Sequence, residues 1–363
     1  MRLFQTGELK LLREVRERFR LDPKDKGVVV GIGDDAAVIA PQCNKKIIIT
    51  TDMMNEGVHF DLDFTSPFQL GFKLVSVNVS DVMAMGGIAR YLFLDLAFTL
   101  DTDNEFFAKF YDGVGSAMSL YGIQLLGGDL CSARGDTVLS ATVMGEGEKI
   151  VTRAGASPGD KIYLTASTGD SACGLEILRR LDYTGREKVR KLVWASGDGP
   201  QVDFCEALSL KAADGIQSVE WKIAEPLLRR HLMPVARDSR SIVPHASSML
   251  DVSDGLFIDL CRICDESCVG AVVYRDQIPI SAELGEAATL LGQDAFYCAA
   301  SGGEDYELLF TSHDFPLDEY NREHDVKVSF IGEITGGDRS VVDSSGNRTP
   351  LRAEGYQHFG PPG

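Results

Sequence analysis

Acidic residues at the ends of apolar segments, beside glycine, threonine or asparagine, are the residues of this sequence with the clearest chemical meaning. They recur at six places: Asp34 and Asp35, Asp52, Asp81, Asp129, Asp251 and Asp254, and Glu304 and Asp305. Glycine lets the backbone approach a ligand closely, and strand ends in α/β layers are where ligands bind. Carboxylates that converge without lysine or arginine repel one another, and Mg²⁺ relieves that repulsion by binding carboxylate, water and phosphate oxygens. The pattern therefore predicts a shared site for Mg²⁺ and phosphate groups.

Composition narrows the classes of protein that could carry such a site. The chain has 363 residues, 44% hydrophobic and 25% charged, which is typical of a globular protein, and its length favours two domains. The formal charge of −18 argues against binding to nucleic acid or to an anionic membrane. No segment has the pattern of a signal peptide or a membrane span, and the cysteines are dispersed. We therefore expect a cytoplasmic protein with reduced thiols.

Strand and helix patterns in the first half predict how the acids are positioned. The strand KKIIITTDM ends at Asp52, and a helix that begins with a capping box at Ser66 carries Asp81 on the same face as Asn78. A second capping box at Thr102 predicts another helix. The first twenty residues also have a helical pattern. These elements predict an α/β domain with acids at its strand ends.

The second half begins after the turn-rich segment TRAGASPGDK and repeats a mixed α and β pattern. Its acids follow the strand in ASSMLDVSDG. The segment AFYCAASGGEDYELLFT predicts a strand, a glycine loop and a second strand. Residues 182–221 are less regular, and we interpret them as an insertion.

Two further motifs could bind a cofactor, and their context argues against both. VVVGIGDDA matches a permissive dinucleotide pattern, but Pro41 and a second strand follow it instead of a long helix, which argues against NAD or FAD. Cys261, Cys264 and Cys268 are spaced as on one face of an amphipathic helix. No second close pair of Cys or His completes a zinc site, so these cysteines are predicted to pack as small apolar residues.

An ordered series of motifs carries a resemblance to a known family. In chain order these are GIGDDAAVI, TTDMMNEGVHF, KLVSVNVSDVMAMGG, LLGGD, TRAGASPGDKIYLT, GDSACGL, DVSDGLFIDL, SGGEDYELLFT and EGYQHF. From about residue 27 onward the chain resembles the thiamine-monophosphate kinases of the aminoimidazole-ribotide-synthetase-like (PurM-like) superfamily. Each motif is short, and their ordered combination is specific. The segment containing His59, together with SGGEDYEL, separates this branch from its relatives.

The resemblance implies a two-domain PurM-like fold of mixed α/β and α+β type. It implies an N-terminal helix over residues 1–26, an ATP- and Mg²⁺-binding α/β domain over 27–151, a C-terminal α+β domain over 152–340, which includes the insertion at 182–221, and a terminal segment over 341–363 that contributes to the substrate site. The sheet of the N-terminal domain is expected to pair with that of a second subunit in a homodimer.

The resemblance also implies an activity and a set of site residues. ATP would donate its γ-phosphoryl group to thiamine monophosphate by direct in-line transfer, with several Mg²⁺ ions. The implied metal residues are Asp35, Thr50, Thr51, Asp52, Asp81, Asp129, Asp251 and Asp254, of which Asp35, Asp52, Asp81, Asp129 and Asp254 would be catalytic. The implied ATP contacts are Gly128, Asp129, Arg153 and Ser253. The implied contacts to thiamine phosphate are His59, Glu304 and Tyr356.

Two other functions stay open at this point. One is another PurM-like ATP-dependent synthetase, and the other is a non-catalytic regulator that binds a nucleotide or a thiamine phosphate. The selenophosphate and carbamoyl-dehydrating branches of the superfamily carry a functional cysteine near the N-terminal glycine-rich loop or in the C-terminal tail. This chain has no cysteine in its GIGDDA loop or in its tail, HFGPPG.

Overall fold

The computed structural model describes residues 11, 14–15, 17–19, 27–30, 38–39, 44–192, 207–212 and 215–358. The chain divides into two compact units. The first comprises Met1–Met83, Gly87–Glu148 and Arg186–Asp203, and the second comprises Ala84–Gly86, Lys149–Gly185 and Phe204–Gly363. Both units are mixed α and β, as predicted. Over the described part of the chain, we find no helix with the length and apolar character needed to cross a membrane.

The first unit is built on a four-stranded sheet. Its elements are β1 (Val28–Val30), β2 (Val38–Ile39), β3 (Lys46–Asn55), α1 (Pro67–Ala84), β4 (Ile88–Thr99), α2 (Asn104–Tyr121), β5 (Gln124–Ala133) and β6 (Val138–Gly147). The sheet order is β3-β6-β4-β5, in which β4 and β5 are parallel and the other pairs antiparallel. Strands β1 and β2 form a separate antiparallel pair. The order places β3 and β5, which both carry predicted site residues, at opposite edges of the sheet.

Helix α1 begins with the predicted capping box. Ser66 Oγ accepts the N–H of Gln69 at 3.3 Å, and Gln69 Oε1 accepts the N–H of Ser66 at 2.8 Å. These bonds satisfy donors that the start of a helix leaves without partners. Helix α2 begins differently from the prediction. Its N-cap is Asp103 rather than Thr102, and Asp103 Oδ1 accepts the N–H of Phe106 at 2.8 Å.

Helices α1 and α2 touch at two glycines. A Cβ on Gly71 would lie 2.1 Å from the carbonyl oxygen of Phe110, and a Cβ on Gly113 would lie 1.9 Å from that of Phe68. Only glycine permits backbones to approach so closely. The two helices therefore pack backbone against backbone, which holds the helix that carries Asp81.

The second half of the chain forms a larger mixed unit, except that residues 186–203, with most of the helix named α4 below, belong to the first unit. Its elements are β7 (Lys161–Thr165), α3 (Asp170–Arg180), α4 (Tyr183–Arg190), β8 (Leu208–Ala212), β9 (Gly215–Val219), α5 (Trp221–Leu232), β10 (Ser248–Asp251), α6 (Leu256–Glu266), β11 (Gly270–Tyr274), a short 3₁₀ helix (Arg275–Gln277), α7 (Ala282–Leu291), α8 (Ala295–Ser301), β12 (Leu308–Ser312), α9 (Leu317–Glu323), β13 (Val328–Thr335), β14 (Arg339–Val342) and β15 (Arg348–Pro350). Seven strands form one sheet in the order β10-β12-β7-β13-β11-β14-β15, and β8 pairs with β9.

An aromatic cluster fills part of the core of this second unit. Tyr163 of β7 stacks on its cross-strand neighbour Phe310 of β12, with ring centroids 5.3 Å apart, and Phe315 packs edge-on against Phe310 at 4.9 Å. All three side chains are buried. Such cross-strand aromatic pairs stabilise a sheet, and this pair holds together the two strands that adjoin the candidate site.

Three predicted elements need correction or completion. The segment before the glycine loop is helix α8, not a strand, because Asp294 caps it by accepting the N–H of Phe296 at 2.9 Å. Residues 182–221 contain helix α4 and the hairpin β8–β9; residues 193–206 and 213–214 lie outside the described residues. Of the first twenty residues, 11, 14–15 and 17–18 are described as helical. The boundary placed at residues 151 and 152 stays a prediction.

Gln69 also ties the end of helix α4 to the start of helix α1. Its Nε2 donates to the carbonyl oxygens of Val189 at 3.0 Å and Leu192 at 3.1 Å. The end of a helix leaves such carbonyls without N–H partners. Gln69 is fully buried, so one amide serves as acceptor at one helix start and as donor at another helix end.

The role of Gln69 predicts a large effect from an almost isosteric change. Gln69→Glu places a buried carboxylate, which has no N–H to donate, against two carbonyl oxygens. We expect the free energy of unfolding to fall by about 3 kcal/mol, measured by urea denaturation. Gln217→Glu, at an exposed position of β9, is the matched control. Equal stability of the two variants would contradict the role given to Gln69.

Candidate active site

The first unit brings three predicted metal residues together at strand β3 and helix α1. Thr50 and Asp52 lie on the same face of β3, alternating with exposed residues on the other face. Thr50 Oγ1 donates to Asp81 Oδ2 at 2.6 Å, and the N–H of Asp52 donates to Asn78 Oδ1 at 3.0 Å. The prediction that Asn78 and Asp81 share one face of the helix is confirmed, because both side chains contact β3. Oxygen atoms of Thr50, Asn78 and Asp81 therefore lie together where strand β3 meets helix α1.

Thr51 and Asp129 lie elsewhere in the same unit. The side chain of Thr51 is on the other face of β3 and donates to the carbonyl oxygen of Ala141 at 3.1 Å. Asp129 is on β5, opposite Asp95 of β4. Three strand spacings, about 14 Å, separate β3 from β5, which is too far for Asp52 and Asp129 to contact one ion. This placement fits several ions better than a single one.

In the second unit, Asp251, Ser253 and Asp254 occupy the end of β10 and the turn into helix α6. The turn is built around Asp259. Its Oδ2 accepts the backbone N–H groups of Ser253, Asp254 and Gly255, each at 3.1 Å. Asp259 is buried, and this burial raises the pKa of its carboxyl group to about 6. A buried carboxylate thus holds the backbone that carries the predicted site residues.

Arg262 gives this turn a positive charge. Its Nη1 lies 2.5 Å from Asp259 Oδ1, and its Nη2 lies 2.5 Å from Asp254 Oδ2. The expectation that the acids converge without lysine or arginine is therefore wrong for Asp254. The reason is that Arg262 is one helical turn beyond Asp259, so the folded helix α6 turns both side chains toward the same loop.

The SGGEDYE loop interlocks with this turn through the backbone. The N–H of Glu304 donates to the carbonyl oxygen of Ser253 at 2.7 Å, and the N–H of Tyr306 donates to that of Val252 at 2.9 Å. Glu304 and Tyr306 both have left-handed backbones, with φ of +67° and +53°. Non-glycine residues adopt this conformation only where the surroundings impose it, and it is concentrated at functional sites. The structure thus brings Ser253 and Glu304 side by side.

Asp305, between those two strained residues, anchors the loop. Its carboxylate accepts the N–H of Gly169 at 2.5 Å and that of Ser171 at 2.9 Å, at the start of helix α3. The helix N-terminus favours a negative charge. Complete burial, together with the charge of Asp170, opposes it and raises the pKa of Asp305 to about 8. The anchor is therefore a titratable group in the interior.

Glu307 fixes the other end of the loop through two arginines. It accepts from Arg230 at 2.5 Å, from Arg237 at 2.6 and 2.7 Å, and from Thr165 at 2.6 Å, and it is fully buried. Burial alone would raise its pKa, but Arg237 and Arg230 outweigh that effect and hold the pKa below its ordinary value. These contacts hold the start of β12 against strand β7 through Thr165 and against helix α5 through Arg230.

The remaining predicted residues have definite places. His59 follows β3, and its Nδ1 accepts the N–H of Asn55 at 3.0 Å. Tyr356 is half-exposed, and its N–H donates to the carbonyl oxygen of Asp254 at 2.9 Å, so the C-terminal segment does meet the predicted turn. Arg153 is exposed in the turn before β7.

Gly128 occupies a position that admits no side chain. Its φ is +144°, and a Cβ there would lie 1.8 Å from the carbonyl oxygen of Leu94. The second glycine of LLGGD is therefore required, because β5 approaches β4 too closely there for any side chain.

The oxygen ligands of the first unit fit Mg²⁺. Asp52, Asp81 and Thr50 offer carboxylate and hydroxyl oxygens, and Mg²⁺ is usually held by one or two carboxylates together with waters and phosphates. Asp35 lies outside the described residues. Within those residues, no three His, Cys, Asp or Glu side chains form a group that could hold a metal ion unaided. The complete metal network stays a prediction.

The three clustered cysteines have different surroundings. Cys261 and Cys264 are buried in helix α6, and burial raises the pKa of Cys264 to about 11. Such a thiol stays protonated and unreactive at neutral pH. Cys268 lies beyond the end of the helix and is exposed, so the prediction of a single helical face is wrong for it.

Several residues that build the site were not singled out from the sequence. The sequence did contain a signal for Asp259 and Arg262. They are three residues apart on the helix that follows the DG turn of the motif, so they lie on the same helix face. Glu307 offered no such signal, since Arg230 and Arg237 are 77 and 70 residues away along the chain.

Comparison with known proteins assigns both halves of the chain to one class. Residues 33–147 match the N-terminal domain of AIR synthase related proteins, and residues 157–344 match the C-terminal domain. These regions contain most of the site residues described above. The predicted PurM-like fold is confirmed.

Individual relatives narrow the class. Thiamine-monophosphate kinase from Escherichia coli O157:H7 is 33% identical, with 98% of this chain and 99% of the relative covered. The crystal structure of thiamine-monophosphate kinase from Stenotrophomonas maltophilia K279a is 30% identical (TM-score 0.73, coverage 93% and 96%). AaThiL complexed with AMPPCP and TMP is 28% identical (TM-score 0.69, coverage 99% of each chain). The chain therefore belongs to the AIR synthase related proteins and, within them, to the thiamine-monophosphate kinase family.

The buried Asp305 predicts a specific dependence of stability on pH. Its pKa of about 8 in the folded chain lies above the ordinary value of about 3.9 expected in the unfolded chain. Its contribution to the free energy of unfolding is therefore complete below about pH 4 and is lost as the pH rises through about 8. We expect Asp305→Asn to flatten the decline of stability over this range, measured by urea denaturation at a series of pH values.

Asp318→Asn, which removes an exposed acid, is the control for this prediction and should leave the slope of stability against pH unchanged. If the slope of Asp305→Asn also equals that of the wild type, the buried carboxylate does not titrate as described.

Proposed function

We propose that the chain is a thiamine-monophosphate kinase, which transfers the γ-phosphoryl group of ATP to thiamine monophosphate and forms thiamine diphosphate, the last step of thiamine diphosphate biosynthesis. The membership of the chain in the thiamine-monophosphate kinase family carries the proposal, and the hydrogen bond of 2.7 Å between Glu304 N–H and the carbonyl oxygen of Ser253 supports it. Ser253 is assigned to ATP and Glu304 to the acceptor, and phosphoryl transfer needs donor and acceptor side by side. The complex of AaThiL with AMPPCP and TMP supports the same pair of substrates.

The chemistry requires positioning rather than a general base. The acceptor is a phosphate monoester, whose second pKa of about 6 leaves it largely anionic at neutral pH. The obstacle is the repulsion between two polyanions, and phosphoryl transfer is accelerated mainly by alignment and by neutralisation of charge. We therefore propose direct in-line transfer without a phosphorylated protein intermediate. Trapping a phosphorylated side chain during turnover would contradict this mechanism.

Mg²⁺, when bound, supplies the positive charge that the transfer needs. The proposed set of ligands is Asp35, Thr50, Thr51, Asp52, Asp81, Asp129, Asp251 and Asp254. The support differs between them, and Thr51 has none in the structure, because its side chain lies on the opposite face of β3 and donates to the carbonyl oxygen of Ala141. Thr50 and Asp81 share a hydrogen bond and Asp52 lies beside Thr50 on β3, whereas Asp254 is already paired with Arg262, so a metal ion would have to share or replace that arginine.

The substrate contacts are proposed on the same basis. Gly128, Asp129, Arg153 and Ser253 are assigned to ATP, and His59, Glu304 and Tyr356 to thiamine phosphate. The backbone bond from Tyr356 to Asp254 supports a role for the C-terminal segment near the turn. The cytoplasmic location stays a prediction.

We further propose that the chain works as a homodimer through the outer face of the first sheet. Ile47, Ile49 and Met53 project from this face of β3 and are 48–64% exposed. A row of apolar side chains on an open sheet is typical of a surface that another protein covers. Sedimentation equilibrium checks this: the wild type should be dimeric and Ile49→Asp monomeric, and a monomeric wild type would contradict the proposal.

The assay of this reaction also discriminates against the two other functions considered from the sequence. A PurM-like synthetase would consume ATP with an amide-containing acceptor instead of thiamine monophosphate. A regulator would bind ATP without consuming it. Both are distinguished from the kinase by which product forms.

The decisive assay mixes the protein with ATP, Mg²⁺ and thiamine monophosphate and measures thiamine diphosphate by chromatography. We expect stoichiometric formation of ADP and thiamine diphosphate, and loss of turnover when EDTA removes Mg²⁺. Asp52→Asn should lower kcat by at least about a hundredfold, because it removes a charge from the metal ligands, and should leave thermal unfolding close to that of the wild type.

Asp136→Asn, in the exposed turn between β5 and β6, is the matched control and should keep full activity. Turnover of ATP without thiamine diphosphate would overturn the proposed function. Near-normal activity of Asp52→Asn would remove only this residue from the metal site.

A further inference from the structure

A buried histidine contacts the proposed substrate residue Glu304 from the protein interior. His231 Nδ1 lies 3.2 Å from Glu304 Oε2. The His231 side chain is 4% exposed and that of Glu304 is 27% exposed. The carboxylate therefore reaches solvent on one side and meets an imidazole on the other.

His231 is itself held by a second side chain. Ser171 Oγ lies 3.1 Å from the same Nδ1, and the N–H of Ser171 donates to Asp305 Oδ1 at 2.9 Å. Asp305 is the residue after Glu304. The four residues thus form a closed circuit in which neighbouring loop residues are connected through a serine and a histidine.

Helix α5 delivers two consecutive residues to this loop. His231 contacts Glu304, and the preceding Arg230 contacts Glu307 at 2.5 Å. The helix is held in turn by α3, since a Cβ on Gly174 would lie only 2.2 Å from the carbonyl oxygen of Leu227. Because the two helices pack backbone against backbone, the imidazole has a rigid support.

Both neighbours of Nδ1 bear on its protonation. A carboxylate oxygen can only accept, so a proton on Nδ1, in the neutral ring or in the imidazolium, makes the contact with Glu304 attractive, and Ser171 Oγ can accept from the same N–H. A glutamate side chain loses rotamer entropy when it is ordered. The contact of 3.2 Å with the buried imidazole orders the Glu304 carboxylate before any ligand arrives.

We infer that His231 is a positioning residue for the acceptor site: it holds the Glu304 carboxylate in the orientation that faces the cationic ring of thiamine monophosphate. The inference rests on the proposed function and adds a residue that the sequence motifs did not include. His231 acts through Glu304, not on the reacting phosphates. Its loss should therefore weaken binding of thiamine monophosphate and leave both the ATP site and the chemical step unchanged.

The test compares two substitutions in the full-length protein. His231→Leu removes the donor, and His231→Asn places an amide Nδ2 where Nδ1 stood. We expect His231→Leu to raise KM for thiamine monophosphate about tenfold, with KM for ATP and kcat within about twofold of the wild type, and His231→Asn to restore most of the loss. His324→Leu is the control, because His324 lies at the C-terminal end of helix α9.

A double-substitution cycle with Glu304→Ala makes the test specific. If His231 acts through Glu304, His231→Leu should change KM little once Glu304→Ala is present. Three results would each overturn the inference. They are equal effects of His231→Leu in both backgrounds, an unchanged KM for thiamine monophosphate, and a loss of kcat and thermal stability together with a change in KM for both substrates. A wild-type protein that forms no thiamine diphosphate would instead overturn the proposed function, so the two failures are distinguishable.

Discussion

The burial of the Asp305 carboxylate at the N-terminus of helix α3 is the interaction on which the loop of the second unit depends. Residues on both sides of it have left-handed backbones, a conformation that costs free energy and persists only where other contacts impose it. Asp305 supplies two of those contacts by accepting the N–H groups of Gly169 and Ser171. With Asp305 directed inward, Glu304 is turned toward His231 and the surface, and Glu307 is turned toward its two arginines.

The acids of this chain consequently have different roles, although their sequence context is similar. Asp259 and Asp305 are structural: each gathers backbone N–H groups, and burial raises the pKa of both. Glu307 is buried with its pKa held low by Arg237 and Arg230. Asp81 accepts a hydrogen bond from the neutral Thr50 hydroxyl, and such a carboxylate suits Mg²⁺. The acids counted in the formal charge of −18 are thus of three kinds: internal anchors, proposed metal ligands and surface residues.

Local chemistry explains which parts were predictable. The capping box at Ser66 and the shared face of Asn78 and Asp81 depend on residues within one helix, and both were predicted. Helix α8 was predicted as a strand, whereas the cap at Asp294 and its packing decide for a helix. The arginines that bind Glu307, more than 60 residues away along the chain, have no local pattern.

The sequence by itself determined the fold class, the family and the identity of most proposed site residues, because ordered motifs of glycine and acid record which backbone positions must be tight and which side chains must be anionic. Only the tertiary structure decided how those acids are used. It paired Asp254 with Arg262, separated Asp52 from Asp129 across the sheet, and placed His231 behind Glu304. Charge and pKa depend on burial and on neighbours that meet only when the chain folds.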